Sequence, residues 1–238
     1  MKGKKIKAYS KILEREFHID EFTNSEEPKG VILWFGRGVD EELYNIRGKN
    51  INLFLDKEWI RLRKQLKMNL PFTFIFLTGP YDIKINDFIE TEKEKWVEHI
   101  KTDIMSRYPN LPFYLIGNSG GAALALNGVH KLSNIVGAGC IGGDDIPADL
   151  EIPLKKDGEP KWILNLYYNT KGYGDWDGPQ EYYDGDLVYA DKMKPVVDIL
   201  CNKGYATING YPGKHSTKHS IKNRSVEGLI RSAINLFP

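Results

Sequence analysis

The stretch from residue 113 to 124, Phe-Tyr-Leu-Ile-Gly-Asn-Ser-Gly-Gly-Ala-Ala-Leu, leaves its backbone few options. It opens with a short continuous apolar run, the pattern of a strand covered on both faces. The Ala- and Leu-rich run that follows has the propensity of a helix. Only a lone serine among small residues separates the two, so the chain must turn sharply from strand into helix at Ser119. Gly117-Asn118-Ser119-Gly120-Gly121 satisfies the pattern G-x-S-x-G. The glycines have a mechanical purpose. The serine takes strained backbone angles at the tip of the turn, and the positions two residues away come too close for side chains.

The rest of the 238 residues supplies the sheet that such a turn needs. Short apolar runs alternate with segments of helical spacing. Residues 5–9 and 16–22 are expected as two N-terminal strands, a hairpin at a sheet edge. Further strands are expected over 30–35, 71–77, 112–116, 134–141, 161–168 and 205–210. Helical patterns cover 53–67, 92–108, 120–131, 187–203 and 225–236. Residues 143–160 hold three prolines and read as loop. Strands and helices alternating at this spacing imply βαβ units with right-handed crossovers. The expectation is a single α/β domain over 1–238: a doubly wound, mainly parallel sheet flanked by helices, with an antiparallel N-terminal hairpin and no large lid domain. With 41% hydrophobic residues, the chain is able to bury a sizeable core.

A serine at the tip of such a turn is placed to act as a nucleophile. It then needs a histidine to take its proton and an acid to orient that histidine. Of the five histidines, His18 lies in an expected strand and His99 on an amphipathic helix, where both read as surface or packing residues. His130 ends the helix that the serine begins and suits a helix C-terminal cation. His215 and His219 follow the last strand. His215 is preferred, because the turn at Pro212 and Gly213 allows a loop to swing its ring over the serine. The acid is expected in the loop after residues 161–168, with Asp175 first, Asp177 second, and Asp144 or Asp145 third. The oxyanion hole requires two backbone N–H groups. Gly120 supplies one, and Arg37 the other, with Gly36 allowing the close approach. Tyr173 and Trp176 belong to an aromatic cluster around the proposed acid, part core and part lining for an aromatic acyl group or a sugar ring.

The order Ser119, an acid near 175 and then His215, each after a successive strand, resembles the α/β-hydrolase superfamily. The G-x-S-x-G turn and the Gly-rich turn Phe35-Gly36-Arg37-Gly38 agree with it. The resemblance covers most of the chain, from about residue 5 to the end, and the size is similar to the small carboxylesterase, phospholipase and acyl-thioesterase branch. It implies a serine hydrolase that cleaves a carboxylic ester or thioester through an acyl-enzyme on Ser119. A small-molecule acyl ester would be the substrate, and no cofactor is needed. The same triad would serve a peptidase or an acyltransferase, and a hydrolase scaffold whose triad did not assemble would be a binding protein. Two departures from the family pattern stand out. The oxyanion turn reads Phe-Gly-Arg-Gly rather than His-Gly-Gly, and Asn169-Thr170-Lys171-Gly172-Tyr173-Gly174 replaces the usual His-Gly-x-x-Asp lead-in to the acid.

Charge and composition exclude other classes. The net charge of +1 conceals twelve acidic against four basic residues between Asp144 and Asp191. No concentrated basic patch remains to bind nucleic acid. The acidic stretch reads as a solvated loop or as a face toward a cationic substrate. Cys140 and Cys201 show no metal-type spacing and fit buried thiols of a reducing compartment. The basic N-terminus lacks the apolar core of a signal peptide, and no stretch approaches the roughly 18 apolar residues of a membrane span. A cytoplasmic protein is expected. Gly137-Ala138-Gly139-Cys140-Ile141-Gly142 fits G-x-G-x-x-G, but Asp-Asp-Ile-Pro follows where a dinucleotide site needs a helix. Asp175, Asp177, Asp184 and Asp186 lack the remaining positions of a calcium loop, so no metal is expected.

Overall fold

The computed structural model of the chain describes residues 2–23, 25–35, 64, 74–78, 93–118, 120–141, 155–158, 160–169, 198, 201–211 and 224–238. Eight strands among them form one sheet: β1 (Lys2–Ser10), β2 (Arg15–Thr23), β3 (Val31–Phe35), β4 (Ile75–Thr78), β5 (Phe113–Asn118), β6 (Ile135–Ile141), β7 (Ile163–Asn169) and β8 (Ala206–Tyr211). Their spatial order is β1-β2-β4-β3-β5-β6-β7-β8. The strands from β4 to β8 run parallel, while β2 pairs antiparallel with both β1 and β4. The expected N-terminal hairpin is therefore present and extends the sheet at one edge. The patterns over 53–67 and 187–203 fall almost wholly outside the described residues.

Strands β3 and β5 are buried along their whole length, as their unbroken apolar runs require. Alternation divides their side chains between two faces. Leu33, Phe35, Phe113 and Leu115 pack with Trp96 and Val97 of α1 (Lys93–His99) and with Ala122 and Leu126 of α2 (Gly120–Lys131). Ile32, Trp34, Tyr114 and Ile116 pack on the other face with Val226, Leu229 and Ile230 of α3 (Ser225–Leu236). Each fully buried Leu or Ile stabilises the fold by roughly 1.5–3 kcal/mol relative to exposure. On α3, Glu227 is buried and held by charge-assisted bonds from Arg224 Nε (3.0 Å) and Arg231 Nη2 (2.8 Å).

The motif Gly137-Ala138-Gly139 has a packing explanation. The register of β5 on β6 shifts from Phe113↔Ile135 to Tyr114↔Gly137, so Val136 is an extra residue in a bulge. The bulge reverses the parity of β6, and Ile135 and Ile141 consequently join opposite cores. It also turns Gly137 and Gly139 toward α3. A Cβ on Gly139 would lie 2.5 Å from Leu229 Cδ2, and one on Gly137 would lie 2.6 Å from the Tyr114 ring. Both glycines serve close packing.

The apolar spacing over 92–108 predicts one α-helix. The structure divides it into α1, a π-helical turn Ile100–Ile104 and a 3-10 turn Met105–Arg107. Buried residues Ile100, Ile104 and Met105 still face the core. At the break, His99 is fully buried and its Nδ1 lies 2.7 Å from Asp103 Oδ2. The Ser10 hydroxyl, from β1, donates to the same carboxylate oxygen at 2.5 Å. The His99 ring stands edge-on to Phe17 and Trp96. His99 is thus a packing residue that ties the N-terminal hairpin to the helix.

Candidate active site

The parallel strands all finish on one edge of the sheet. Pairing sets Phe35 beside Gly117, Asn118 beside Ile141, Ile141 beside Tyr167, and Asn169 beside Tyr211. The segments that begin at residues 36, 119, 142, 170 and 212 leave the sheet from this edge. In open α/β sheets, ligands bind beyond the carboxyl ends of the strands.

At the middle of the edge, β5 ends at Asn118 and α2 begins at Gly120. A single residue, Ser119, joins strand to helix. The end of the strand and the start of the helix approach closely. A Cβ on Gly117 would meet the carbonyl of Gly121 and the Cα of Ala122, so only glycine fits at this point. Asn118 is buried at 3% exposure, which anchors the strand side of the turn. Gly120 opens α2, where the first backbone N–H groups have no partner within the helix and the helix dipole favours negative charge.

Several expected site residues lie outside the described residues: Gly36, Arg37, Ser119, Asp144, Asp145, Tyr173, Asp175, Trp176, Asp177, His215 and His219. What the structure places is the strand from which each departs. Gly36 and Arg37 follow directly on β3, the two aspartates and two aromatics follow β7, and His215 stands four residues beyond the end of β8.

Two titratable groups are described near this edge. Cys140 is paired with Gly117 across β5 and β6, and burial pushes its thiol far above the ordinary range. The thiolate is the nucleophilic form, and burial disfavours it. Burial also raises the Tyr167 hydroxyl. Among the described residues, no group of three or more His, Cys, Asp or Glu side chains is arranged to hold a metal ion. No described helix is long and apolar enough to cross a membrane.

One polar feature escaped the sequence reading. Asn165, in the middle of β7, is buried and hydrogen-bonded at both ends of its amide. The available signal was a lone asparagine within the apolar run Lys-Trp-Ile-Leu-Asn-Leu-Tyr-Tyr.

No protein-family model and no curated protein matches the sequence. Solved structures do match the fold. A ferulic acid esterase aligns over 100% of this chain and 98% of its own, at 13% identity and a TM-score of 0.56. An α/β serine hydrolase without a lid, from Xanthomonas campestris, covers 100% of this chain and 96% of its own, at 12% identity and a TM-score of 0.58. The enterobactin esterase of Shigella flexneri is similar over 100% of this chain, at 14% identity and a TM-score of 0.60; this chain spans 60% of it. The chain has an α/β-hydrolase fold. Its solved neighbours include esterases and serine hydrolases.

Proposed function

We propose that this chain is a serine hydrolase that cleaves a carboxylic ester or thioester. Ser119 Oγ attacks the acyl carbonyl while His215 takes its proton. Asp175, or Asp177 in its place, accepts from the histidine Nδ1–H and holds the tautomer. The N–H groups of Gly120 and Arg37 stabilise the oxyanion, and Gly36 allows the acyl group to approach. The tetrahedral intermediate collapses, His215 protonates the departing alcohol, and an acyl-enzyme remains. Water, deprotonated by His215, then releases the acid and restores Ser119.

The observation that carries this reading is the junction of β5 and α2: one residue, a serine, between a glycine-tight strand end and a helix start. The likeness to solved esterases supports it. So does the common edge from which the strands leading to Arg37, Ser119, Asp175 and His215 emerge.

The substrate we infer is a small-molecule ester of an aromatic acid. One neighbour, a ferulic acid esterase, is named for such chemistry, and an enterobactin esterase was solved with 2,3-dihydroxy-N-benzoyl-serine, which carries an aromatic ring on an amide. Tyr173 and Trp176 precede and adjoin the proposed acid and would supply stacking surface. A fluorophosphonate probe tests the reaction class: it should label the wild-type chain and not Ser119→Ala. Labelling that survives the substitution overturns the assignment. Turnover of a panel of feruloyl, benzoyl and alkyl esters tests the substrate class, and equal rates on alkyl esters would remove the aromatic preference.

A further inference from the structure

Asn165 is the lone polar side chain between Trp162 and Tyr167 and is 6% exposed. Its Nδ2–H donates to Tyr114 Oη at 2.8 Å, and its Oδ1 accepts from the Thr207 hydroxyl at 2.7 Å. The three residues belong to β5, β7 and β8. Strand β6 lies between β5 and β7, and Tyr114 reaches across it over Gly137, where a Cβ would strike the ring. The bulge at Val136 is what brings Gly137 to that face.

The side chains stand at two levels of the sheet: Asn165 pairs directly with Thr207, while Tyr114 pairs through Gly137 with Ile163, two residues before Asn165. Tyr114 stands four residues before Asn118, Asn165 four before Asn169, and Thr207 four before Tyr211, the last residues of their strands. At strand rise, each is roughly 13 Å from its strand end. Those three ends lead to Ser119, Asp175 and His215. A leucine at position 165 would suit the surrounding apolar clusters. It would keep the backbone ladders and the apolar packing but remove the side-chain bonds between strands, whereas a buried amide with two fixed partners is satisfied in one register only.

We propose that the Tyr114–Asn165–Thr207 chain is a positioning device, which fixes the relative height of the strands that deliver the nucleophile, the acid and the base. The inference rests on the serine-hydrolase reading above. Asn165 acts through the strands and does not touch substrate.

The test compares wild type with Tyr114→Phe, Thr207→Val and Thr207→Ser, using turnover of an activated aromatic ester, fluorophosphonate labelling rate and thermal unfolding. Both Tyr114→Phe and Thr207→Val should lower kcat about tenfold or more with KM unchanged, since small misplacements of reacting groups are costly. They should slow labelling to match, at temperatures where the variants are fully folded. Thr207→Ser keeps the hydroxyl and should restore both rates. Thr207 is exposed, so Thr207→Val carries the test alone should Tyr114→Phe fail to fold. Variants that lose thermal stability but keep wild-type kcat and labelling overturn the proposal and leave the serine-hydrolase reading standing. A wild-type chain that neither labels nor turns over any ester overturns both.

Discussion

A Cβ on Gly117 would lie 2.5 Å from the Cα of Ala122, so the end of β5 and the first turn of α2 meet backbone to backbone. No rotamer change relieves such an overlap, because neither partner is a flexible side chain. Gly117→Ala must therefore either push α2 outward or distort the strand end. The expected result is a loss of stability at the upper end of the ~1–3 kcal/mol typical of overpacking, with fluorophosphonate labelling abolished in whatever folds. Chemical denaturation followed by tryptophan fluorescence measures the first effect. A variant of wild-type stability that still labels would show that the turn tolerates a side chain.

The two aspartates after β7 separate by substitution. Asp175→Asn should lower kcat by roughly 10⁴-fold, the scale expected when the orienting acid of a triad becomes an amide. Asp177→Asn should stay near wild type, and the reverse outcome moves the role to Asp177. His215→Ala should lower activity to the residual contribution of the oxyanion hole and binding, roughly 10³–10⁴-fold over water. A general base acts only in its neutral form, so kcat/KM should fall as acid pH protonates His215. These measurements need only purified variants and a chromogenic ester.

The order of strands and helices was legible because buried parallel strands are apolar runs of characteristic length, and β3, β5, β6 and β7 each announce themselves so. The close approach of the end of β5 to the start of α2 was equally legible, since it leaves glycine as its trace in the sequence. The π-helical turn after His99 was not. It coincides with a tertiary contact between His99, Asp103 and Ser10, separated by up to 93 positions, and local periodicity carries no record of that. The bulge at Val136 was hidden for a related reason. Ile135 and Ile141 look like members of one face, and only pairing with Tyr114 on β5 reveals the change of parity. Asn165 left only a lone asparagine in an apolar run as its trace, and its partners on β5 and β8 depend on strand order, which composition does not encode.

Protonation of His99 gives a pH-dependent stability. Burial among Phe17 and Trp96 lowers its pKa below the ordinary 6.5. Asp103 acts in the opposite sense through its bond to Nδ1, and Arg15 adds a weaker lowering. The folded state therefore favours the neutral ring. In the unfolded chain His99 takes up a proton near pH 6.5, so this stability is fully present above that value. It is lost as pH falls from about 6.5 through the lower folded pKa. His99→Gln removes the titration while keeping an amide donor for Asp103. The wild-type unfolding temperature should fall more steeply than that of His99→Gln between pH 7 and 5, each ~1 kcal/mol showing as roughly 2–4 °C for a chain of this size. Parallel slopes would show that other groups govern acid unfolding.

Gly137 offers a prediction in which the sheet and the buried amide meet. A Cβ there would lie 2.6 Å from Tyr114 Cε2 and 2.9 Å from the carbonyl oxygen of Ile163. Gly137→Ala should destabilise the chain by about 1–3 kcal/mol, because Tyr114 has to move and its bond to Asn165 stretches as it does. The two contacts are separable by a double-mutant cycle with Tyr114→Leu. Removing the ring opens the space over β6, so the cost of Gly137→Ala should shrink in that background while the Ile163 carbonyl keeps it above zero. Strictly additive costs would place the whole clash at Ile163, on the β7 side. A positive coupling would instead locate it at the ring, and would explain on steric grounds why β6 carries a glycine where the tyrosine crosses.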